Sequence, residues 1–201
     1  MSPVLDLAPD LLGGIGLPAT ALERVRPSIV RVDGRGSAGA GGIAWRPDAV
    51  VTNHHVVAGA RQALRVVCAD GRAHAARVLA ASRPLDLALL EVAAGDLVPA
   101  PIGRSARLRV GALVFAVGHP WGQPWVVTAG VVSGLGPLAV PGRAQPGSHI
   151  RSDVKLAPGN SGGPLLDARG EVVGVNAMVI GGDLSIAIPS DVVRRWLGGE
   201  S

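Results

Sequence analysis

Three short segments carry side chains that could catalyse a reaction. His54 and His55 follow an apolar stretch, Asp86 opens a very apolar segment, and Ser161 lies in a run rich in glycine. A serine hydroxyl is a weak nucleophile at neutral pH and needs a neighbouring base. An imidazole can take the hydroxyl proton and later return it to a leaving group, while a carboxylate can hold the imidazole in the required tautomer. Together the three segments predict nucleophilic attack on an acyl carbon.

The glycine-rich run around Ser161 also suits the stabilisation of an oxyanion. A tight turn of small residues can aim consecutive backbone N–H groups into one concavity. Gly159 and Gly163 can adopt dihedral angles that other residues avoid, and they leave room for a substrate backbone. Residues 159–162 alone are equally compatible with an ordinary hairpin turn, but their extension through residue 165 is far less generic.

Each segment also has a simpler interpretation. The two histidines could lie in a surface turn, and Asp86 could be a solvated turn residue after Pro84. A metal site is disfavoured because adjacent side chains diverge and no third ligand lies at a usual spacing, so we expect no metal or other cofactor. Four other acidic residues are alternatives to Asp86, although the first three lie in evident turns: Asp48, Asp70, Asp96 and Asp153.

The order of these residues narrows the choice of fold. Histidine, then aspartate, then serine resembles the order in chymotrypsin-like enzymes, whereas α/β-hydrolases and subtilisins run differently. The serine also lacks the G-x-S-x-G elbow of the α/β-hydrolases, because the glycine after Ser161 stands at the wrong offset.

The composition predicts an all-β protein built from many short elements. The 201 residues include 29 Gly and 16 Pro, which favour turns between short strands. Tyr is absent and Phe occurs once, so the core must be mainly aliphatic. Twelve segments are predicted to be strands: Ile29–Asp33, Gly39–Trp45, Ala49–Asn53, Leu64–Cys68, Ala75–Ala80, Leu87–Val92, Ala112–Val117, Val126–Ser133, His149–Asp153, Pro164–Asp167, Glu171–Asn176 and Ser185–Ile188.

Twelve strands exceed what one small sheet uses comfortably. We therefore expect two six-stranded antiparallel β-barrels, with residues 27–100 in the first, 101–188 in the second and a C-terminal helix at 189–198. We expect residues 1–26 to precede the barrels, with an irregular arm at 1–17 followed by a short helix.

Capping signals mark the ends of both predicted helices. Thr20–Glu23 fits a capping box, and that helix must end before Pro27. Ser190 and Asp191 stand at capping positions of the C-terminal helix.

The charge balance does not favour a nucleic-acid partner. The 19 Lys and Arg residues exceed the 15 Asp and Glu by a net charge of only +4, and the arginines are scattered. The single Cys68 excludes an intramolecular disulfide framework. No apolar run is long enough to span a membrane. No basic region precedes an apolar stretch at the N-terminus, so we expect no secretory signal and a cytoplasmic protein.

From about Pro27 to Leu197 the chain resembles the trypsin-like protease domain of the HtrA/Deg group of serine endopeptidases. Six motifs carry the resemblance, in the family's order: T-N-H-H-V-V at 52–57, D-L-A-L-L at 86–90, A-V-G-H-P-W-G at 116–122, V-T-A-G-V-V-S at 127–133, S-D-V-K-L-A-P-G-N-S-G-G-P-L at 152–165 and A-I-P-S at 187–190.

The resemblance implies a chymotrypsin-like fold with the site in the groove between two barrels. It assigns the second histidine, His55, as general base and acid, Asp86 as the orienting acid and Ser161 as the nucleophile. It also implies an oxyanion hole formed by the N–H groups of Ser161 and Gly159, with Asn160 in the turn between them.

The chain departs from the family pattern at three positions. His54 and His119 stand where the family usually has asparagine, and Lys155 stands where it has a small neutral residue. An ammonium pointing into the substrate pocket would favour an acidic P1 residue, but we expect Lys155 to face solvent. A small apolar pocket would then select residues such as Val or Ala, and its lining would be Leu156, Ala177 and Ala187.

The predicted function is that of a serine endopeptidase acting on unfolded or flexible protein segments, in protein quality control. The alternatives are a peptide-binding or chaperone-like module with a resting oxyanion loop, and an esterase that uses the same residues. Because the chain stops directly after its last helix, we expect no PDZ module.

The sequence leaves the oligomeric state and the cellular compartment open. Members of the family often form trimers through aromatic N-terminal residues and usually work outside the cytoplasm. Residues 1–20 contain no aromatic residue. A homotrimer here would therefore rely on apolar side chains: Leu5, Leu7, Leu11, Leu12 and Ile15.

Overall fold

The computed structural model describes residues 19–34, 39–59, 64–119, 125–138 and 147–198. The arm predicted at 1–17 lies outside these residues. The elements of the described chain are, in order, α1 (Ala19–Val25), β1 (Ile29–Asp33), β2 (Ala40–Arg46), β3 (Ala49–Thr52), α2 (His54–Val57), β4 (Leu64–Val67), β5 (Ala73–Ser82), β6 (Leu87–Val92), β7 (Leu113–Gly118), β8 (Val126–Leu138), β9 (Gly147–Ser152), β10 (Pro164–Asp167), β11 (Val172–Ile180), β12 (Leu184–Pro189) and α3 (Ser190–Trp196). Short 3₁₀ turns lie at Arg26–Ser28 and Ser105–Arg107.

The strands close into two six-stranded barrels that share one strand order. The first runs β1, β2, β3, β6, β5, β4 and the second runs β7, β8, β9, β12, β11, β10, each returning to its first strand. Neighbouring strands in both barrels are antiparallel. The prediction of an all-β fold with two six-stranded antiparallel barrels and a short helix at each end is confirmed.

All twelve predicted strands are present, and the errors concern their ends. The largest error is in β8, which was predicted to end at Ser133 but continues to Leu138. Gly134 follows the predicted end, yet the pairing with β9 continues past it after a register shift. A Cβ at Gly134 would lie 2.5 Å from the Arg151 side chain, so this glycine marks close packing rather than a turn.

Apolar side chains alternate between the interior of a barrel and the contact between the barrels. On β7, Val114 and Ala116 belong to the second barrel's interior, whereas Phe115 and Val117 belong to a cluster shared by both barrels. Further members of the shared cluster are Ile29, Ile43, Val51, Leu89, Leu166, Val175 and Ile188. Because this cluster is buried and continuous, the two barrels pack directly against each other.

The capping predictions for the two helices are wrong in detail. Thr20 lies inside α1 rather than before it. Asp191 Oδ2 accepts hydrogen bonds from Ser105 Oγ at 2.9 Å and from the Ala106 N–H at 2.8 Å, so it caps the 3₁₀ turn between the barrels instead of its own helix. Ser190 Oγ donates to the Gly103 carbonyl at 2.9 Å. These polar side chains fasten α3 to the segment that joins the barrels, a long-range contact that no local pattern reveals.

Candidate active site

His55 and Asp86 come together because they lie at one end of two paired strands. β3 ends just before His55, and β6 begins just after Asp86. Their pairing places Thr52 opposite Ala88, so the two flanking side chains meet at the same edge of the first barrel. Asn53 supports this corner, since its Nδ2 donates to the Asp86 carbonyl at 3.0 Å.

The His55 imidazole is held by the Asp86 carboxylate. Nδ1 lies 2.9 Å from Oδ2 and 3.1 Å from Oδ1, and the His55 backbone N–H donates to Oδ1 at 3.0 Å. The Asp86 side chain is only 9% exposed, whereas that of His55 is 48% exposed. Asp86 also has φ 55°, a left-handed conformation that is uncommon outside glycine. The tautomer that satisfies this pair carries its proton on Nδ1 and leaves Nε2 as a proton acceptor.

Ser161 is presented by a turn of the second barrel that is tied to the first barrel. The Gly41 N–H donates to the Ser161 carbonyl at 2.7 Å, and the Gly162 N–H donates to the Asn176 carbonyl at 2.8 Å. Gly162 has φ 81°, and a Cβ there would lie 2.2 Å from both the Gly41 carbonyl oxygen and Thr52 Oγ1. Only glycine fits this position without a clash.

Two backbone N–H groups of the Ser161 turn have no acceptor among the described residues. They belong to Gly159 and Ser161, whereas the N–H of Asn160 between them donates to the Ala157 carbonyl at 3.0 Å. The Gly159 carbonyl is engaged as well, because it accepts from the His119 N–H at 3.3 Å. Gly159 and Ser161 thus keep two donors on one turn available for a negatively charged oxygen.

Within the described part of the chain, the Ser161 hydroxyl donates to the Ala177 carbonyl at 3.2 Å and makes no hydrogen bond to His55. Hydroxyl rotors turn about a single bond, and catalytic hydrogen bonds often tighten only when substrate is present. Of the two hydrogen bonds expected among the three side chains predicted for catalysis, the one between His55 and Asp86 is made.

The residues predicted to line the substrate pocket divide between two clusters. Ala187 belongs to the buried cluster inside the second barrel, and Leu156 is partly buried against that cluster. Ala177 belongs instead to the cluster between the barrels. The Ala177 carbonyl faces Ser161, which links it to the site through its backbone. Lys155 is exposed, and its carbonyl accepts from Thr128 Oγ1 at 2.8 Å.

The alternative acids are occupied elsewhere. Asp70 and Asp96 share the Arg72 guanidinium at 2.7 and 2.8 Å. Backbone and side-chain hydrogen bonds from Arg72 lower the pKa of Asp70. Asp153 Oδ1 accepts from the Val131 N–H at 2.6 Å, and Asp48 lies 3.8 Å from Arg46. Of the acidic side chains considered, Asp86 is the one in contact with His55.

His119 is the residue near the site whose environment the sequence did not reveal. Its side chain is 6% exposed and its ring meets Trp125. Burial and the positive charge of Arg31 lower its pKa, against an opposing effect of Asp33. The only signal in the sequence was the replacement of the family's usual asparagine, which points to a difference without saying what the imidazole contacts.

Three further observations bear on what the chain could bind. A cavity of about 440 Å³ lies between α3 and the β8–β9 pair, and its lining includes Arg104, Leu135, His149 and Arg195 but none of the three catalytic candidates. Among the described residues, no three His, Cys, Asp or Glu side chains cluster as metal ligands would. In the same part of the chain no helix has the length and apolar character needed to cross a membrane.

The comparisons of this chain with known proteins all indicate the same family. The model of the trypsin-like peptidase domain matches residues 39–175. A probable periplasmic DegP-like serine endoprotease of Hahella chejuensis is 41% identical over 185 residues, covering 81% of this chain and 38% of that protein. The mitochondrial serine protease HTRA2 of Bos taurus is 35% identical over 193 residues, covering 89% of this chain and 42% of that protein.

Solved structures agree with this result. The HtrA-type protease AlgW, with a bound tripeptide, has a TM-score of 0.82 and 29% sequence identity, covering 90% of this chain and 62% of that one. The chain spans about two fifths of the length of the curated relatives it matches. With the paired barrels, the matching domain model and relatives of 41% and 35% identity, the chain belongs to the trypsin-like peptidase domain family, in its HtrA/DegP group.

Proposed function

We propose that this chain is a serine endopeptidase domain whose catalytic residues are Ser161, His55 and Asp86. The observation that carries the proposal is an imidazole held by a buried carboxylate on the first barrel, to which the Gly41 N–H ties a serine turn with two unused N–H donors. The family and its relatives, which are named serine proteases, support the same reaction class. The domain limits expected from the sequence, 27–201 for the protease domain and 1–26 for the preceding segment, belong to this proposal.

In the proposed reaction, the Ser161 hydroxyl turns from the Ala177 carbonyl towards His55 Nε2 and gives up its proton as Oγ attacks the substrate carbonyl carbon. The carbonyl oxygen becomes an oxyanion and accepts hydrogen bonds from the N–H groups of Gly159 and Ser161. The imidazolium returns the proton to the leaving amine, and the peptide C–N bond breaks to leave an acyl-enzyme. Water, deprotonated by the same imidazole, then attacks the ester carbon and releases Ser161.

Asp86 has the role of an orienting acid in this scheme. Its two oxygens accept from both the backbone N–H and Nδ1 of His55, so the ring cannot rotate without losing a hydrogen bond. The buried carboxylate also stabilises the imidazolium that forms when His55 takes the serine proton. Asn53, on the Asp86 carbonyl, keeps the turn in place.

A fluorophosphonate probe tests the assignment directly, because it labels only a serine activated by a neighbouring base. The wild-type protein should be labelled and should digest casein, while Ser161→Ala should do neither. Absence of wild-type labelling, or equal labelling of Ser161→Ala, would refute the proposal. Comparison of matched ester and amide substrates separates a peptidase from an esterase.

A second candidate is a peptide-binding or chaperone-like module with a resting site. The hydrogen bond from Ser161 Oγ to the Ala177 carbonyl, instead of to His55, favours it. In that case binding of denatured protein would survive Ser161→Ala, and wild-type turnover of casein would stay undetectable.

The same proposal covers the cleavage preference, the cellular compartment and the oligomeric state. We propose cleavage after small aliphatic residues, with Leu156, Ala177 and Ala187 forming the pocket, and unfolded or flexible protein segments as substrates; a peptide-library digest tests both. The relatives named as periplasmic or mitochondrial favour a compartment outside the cytoplasm over the cytoplasmic expectation. Light scattering of the full chain and of a variant without residues 1–18 tests whether the chain forms a homotrimer through its N-terminal segment.

A further inference from the structure

The end of β7 forms the support of the turn that carries Ser161. The His119 N–H donates to the Gly159 carbonyl at 3.3 Å. A Cβ placed on Gly118 would lie 2.6 Å from Asn160 Oδ1 and 2.9 Å from Asn160 Cα, so the backbone here touches the turn directly. Movement of this strand end would therefore shift the Gly159–Asn160 peptide unit, which lies between the two peptide units that carry the Gly159 and Ser161 N–H groups.

The His119 side chain is held in turn by a stack of side chains. Its ring meets Trp125 edge to face, with ring centres 5.6 Å apart and planes at 64°. The guanidinium carbon of Arg26 lies 4.9 Å from the centre of a Trp125 ring, within the range of a cation–π interaction. Arg26 belongs to the 3₁₀ turn after α1. A continuous set of contacts thus joins the N-terminal helix to the Ser161 turn.

Two unfavourable features lie within this stack. Trp125 has φ 65°, a left-handed conformation that is a rare outlier for a bulky residue. His119 Nδ1 is buried with no hydrogen-bond partner among the described residues. Both carry a free-energy cost that the surrounding packing must offset, and such features concentrate at functional sites.

Burial and the nearby charges together disfavour the protonated form of the His119 ring. Arg31 and Asp33, on β1, form an ion pair at 2.7 Å, and Arg26 reaches Trp125 from the N-terminal turn. Burial lowers the pKa of His119, Arg31 lowers it further, and Asp33 opposes them. In its neutral form the ring packs against Trp125 without adding a third positive charge to those of Arg26 and Arg31.

We propose that His119 and Trp125, held by Arg26, are positioning residues that keep the Gly159–Ser161 turn in the form that can bind an oxyanion. This inference rests on the proposed peptidase function. None of the three touches the reacting atoms. They act through the Gly159 carbonyl, and an oxyanion hole whose donors are misaligned loses transition-state stabilisation while ground-state binding persists.

The test compares Trp125→Leu and Arg26→Gln with two controls. Trp125→Phe keeps an aromatic ring, and Arg24→Gln removes an exposed arginine from α1 whose Nε bonds only the Thr20 carbonyl at 3.4 Å. The measurements are kcat and KM for a fluorogenic peptide and the affinity of a peptide aldehyde, whose hemiacetal oxygen would occupy the oxyanion hole. Thermal unfolding identifies any variant that fails to fold.

For Trp125→Leu we expect kcat and the affinity for the aldehyde each to fall about tenfold, while KM stays within about twofold of the wild-type value. The loss in kcat is smaller than that caused by removing a whole oxyanion-hole donor, because the donors are displaced rather than lost. For Arg26→Gln we expect a loss of about two- to fivefold in kcat, in line with one exposed cation–π contact. Trp125→Phe and Arg24→Gln should stay close to the wild type.

Unchanged kcat and aldehyde affinity in both Trp125→Leu and Arg26→Gln would overturn the inference, and so would a rise in KM alone. If Trp125→Leu does not fold, Arg26→Gln decides, because that side chain is exposed. An inactive, unlabelled wild-type protein would instead refute the proposed function, so the two failures are distinguishable.

Discussion

Replacement of Asp86 by asparagine is the sharpest single test of the proposed chemistry. The carboxylate accepts from both the backbone N–H and Nδ1 of His55, with Oδ1 at 3.0 Å and Oδ2 at 2.9 Å. An asparagine has the same shape but only one acceptor oxygen. If that oxygen keeps the backbone N–H, the amide NH₂ faces Nδ1 and requires an imidazole whose proton lies on Nε2.

That tautomer cannot accept the serine proton, so the loss should be large although the fold persists. We expect kcat for a peptide substrate to fall about 10⁴-fold, the size of the effect when the same exchange imposes the wrong tautomer in a serine protease, which corresponds to about 5.5 kcal/mol of transition-state stabilisation. KM should change little, because the side chain is buried behind the imidazole and does not touch substrate.

The assay is steady-state hydrolysis of a fluorogenic peptide together with the rate of fluorophosphonate labelling of Ser161. Asp70→Asn is a suitable control, since it also removes a carboxylate that accepts a backbone N–H, at 2.9 Å from Arg72, far from any contact with His55. A loss below about tenfold for Asp86→Asn, with Asp70→Asn unchanged, would refute an orienting role for Asp86, because a wrong tautomer must cost far more.

Three further outcomes are expected. Gly162→Ala should abolish activity and lower unfolding free energy by at least about 3 kcal/mol in urea titrations, because it adds strain at positive φ to a clash with Gly41; a fully active, stable variant would contradict the geometry. Asp191→Ala should cost about 2–4 kcal/mol in the same measurement through the lost bonds to Ser105 and Ala106. His119, whose pKa is lowered in the folded state, makes the protein lose stability as pH falls below its ordinary value of 6.5. His119→Asn should therefore show a shallower decline in urea-unfolding free energy between about pH 7.5 and 5, and equal slopes would exclude the linkage.

The amino-acid sequence was sufficient to predict the twelve strands, and it supplied the three residues whose catalytic roles are proposed above. Short apolar segments indicated the strands, and Gly, Pro or Asp marked most of their ends, because these local properties depend on few neighbours. The end of β8 is an exception that also has a physical cause. Gly134 did not end β8, since its lack of a side chain serves the packing of Arg151, and that partner lies far away in the sequence.

Tertiary structure alone decided which groups meet and which groups stay free. Pairing of β3 with β6 brought His55 to Asp86, and closure of the second barrel left the N–H groups of Gly159 and Ser161 without acceptors among the described residues. The contact of His119 with Trp125 likewise depends on how the end of β7 packs, so no local pattern could show it. The sequence by itself determined the strands and the chemistry of each side chain, while distances and unused donors arise only when residues far apart in the chain pack together.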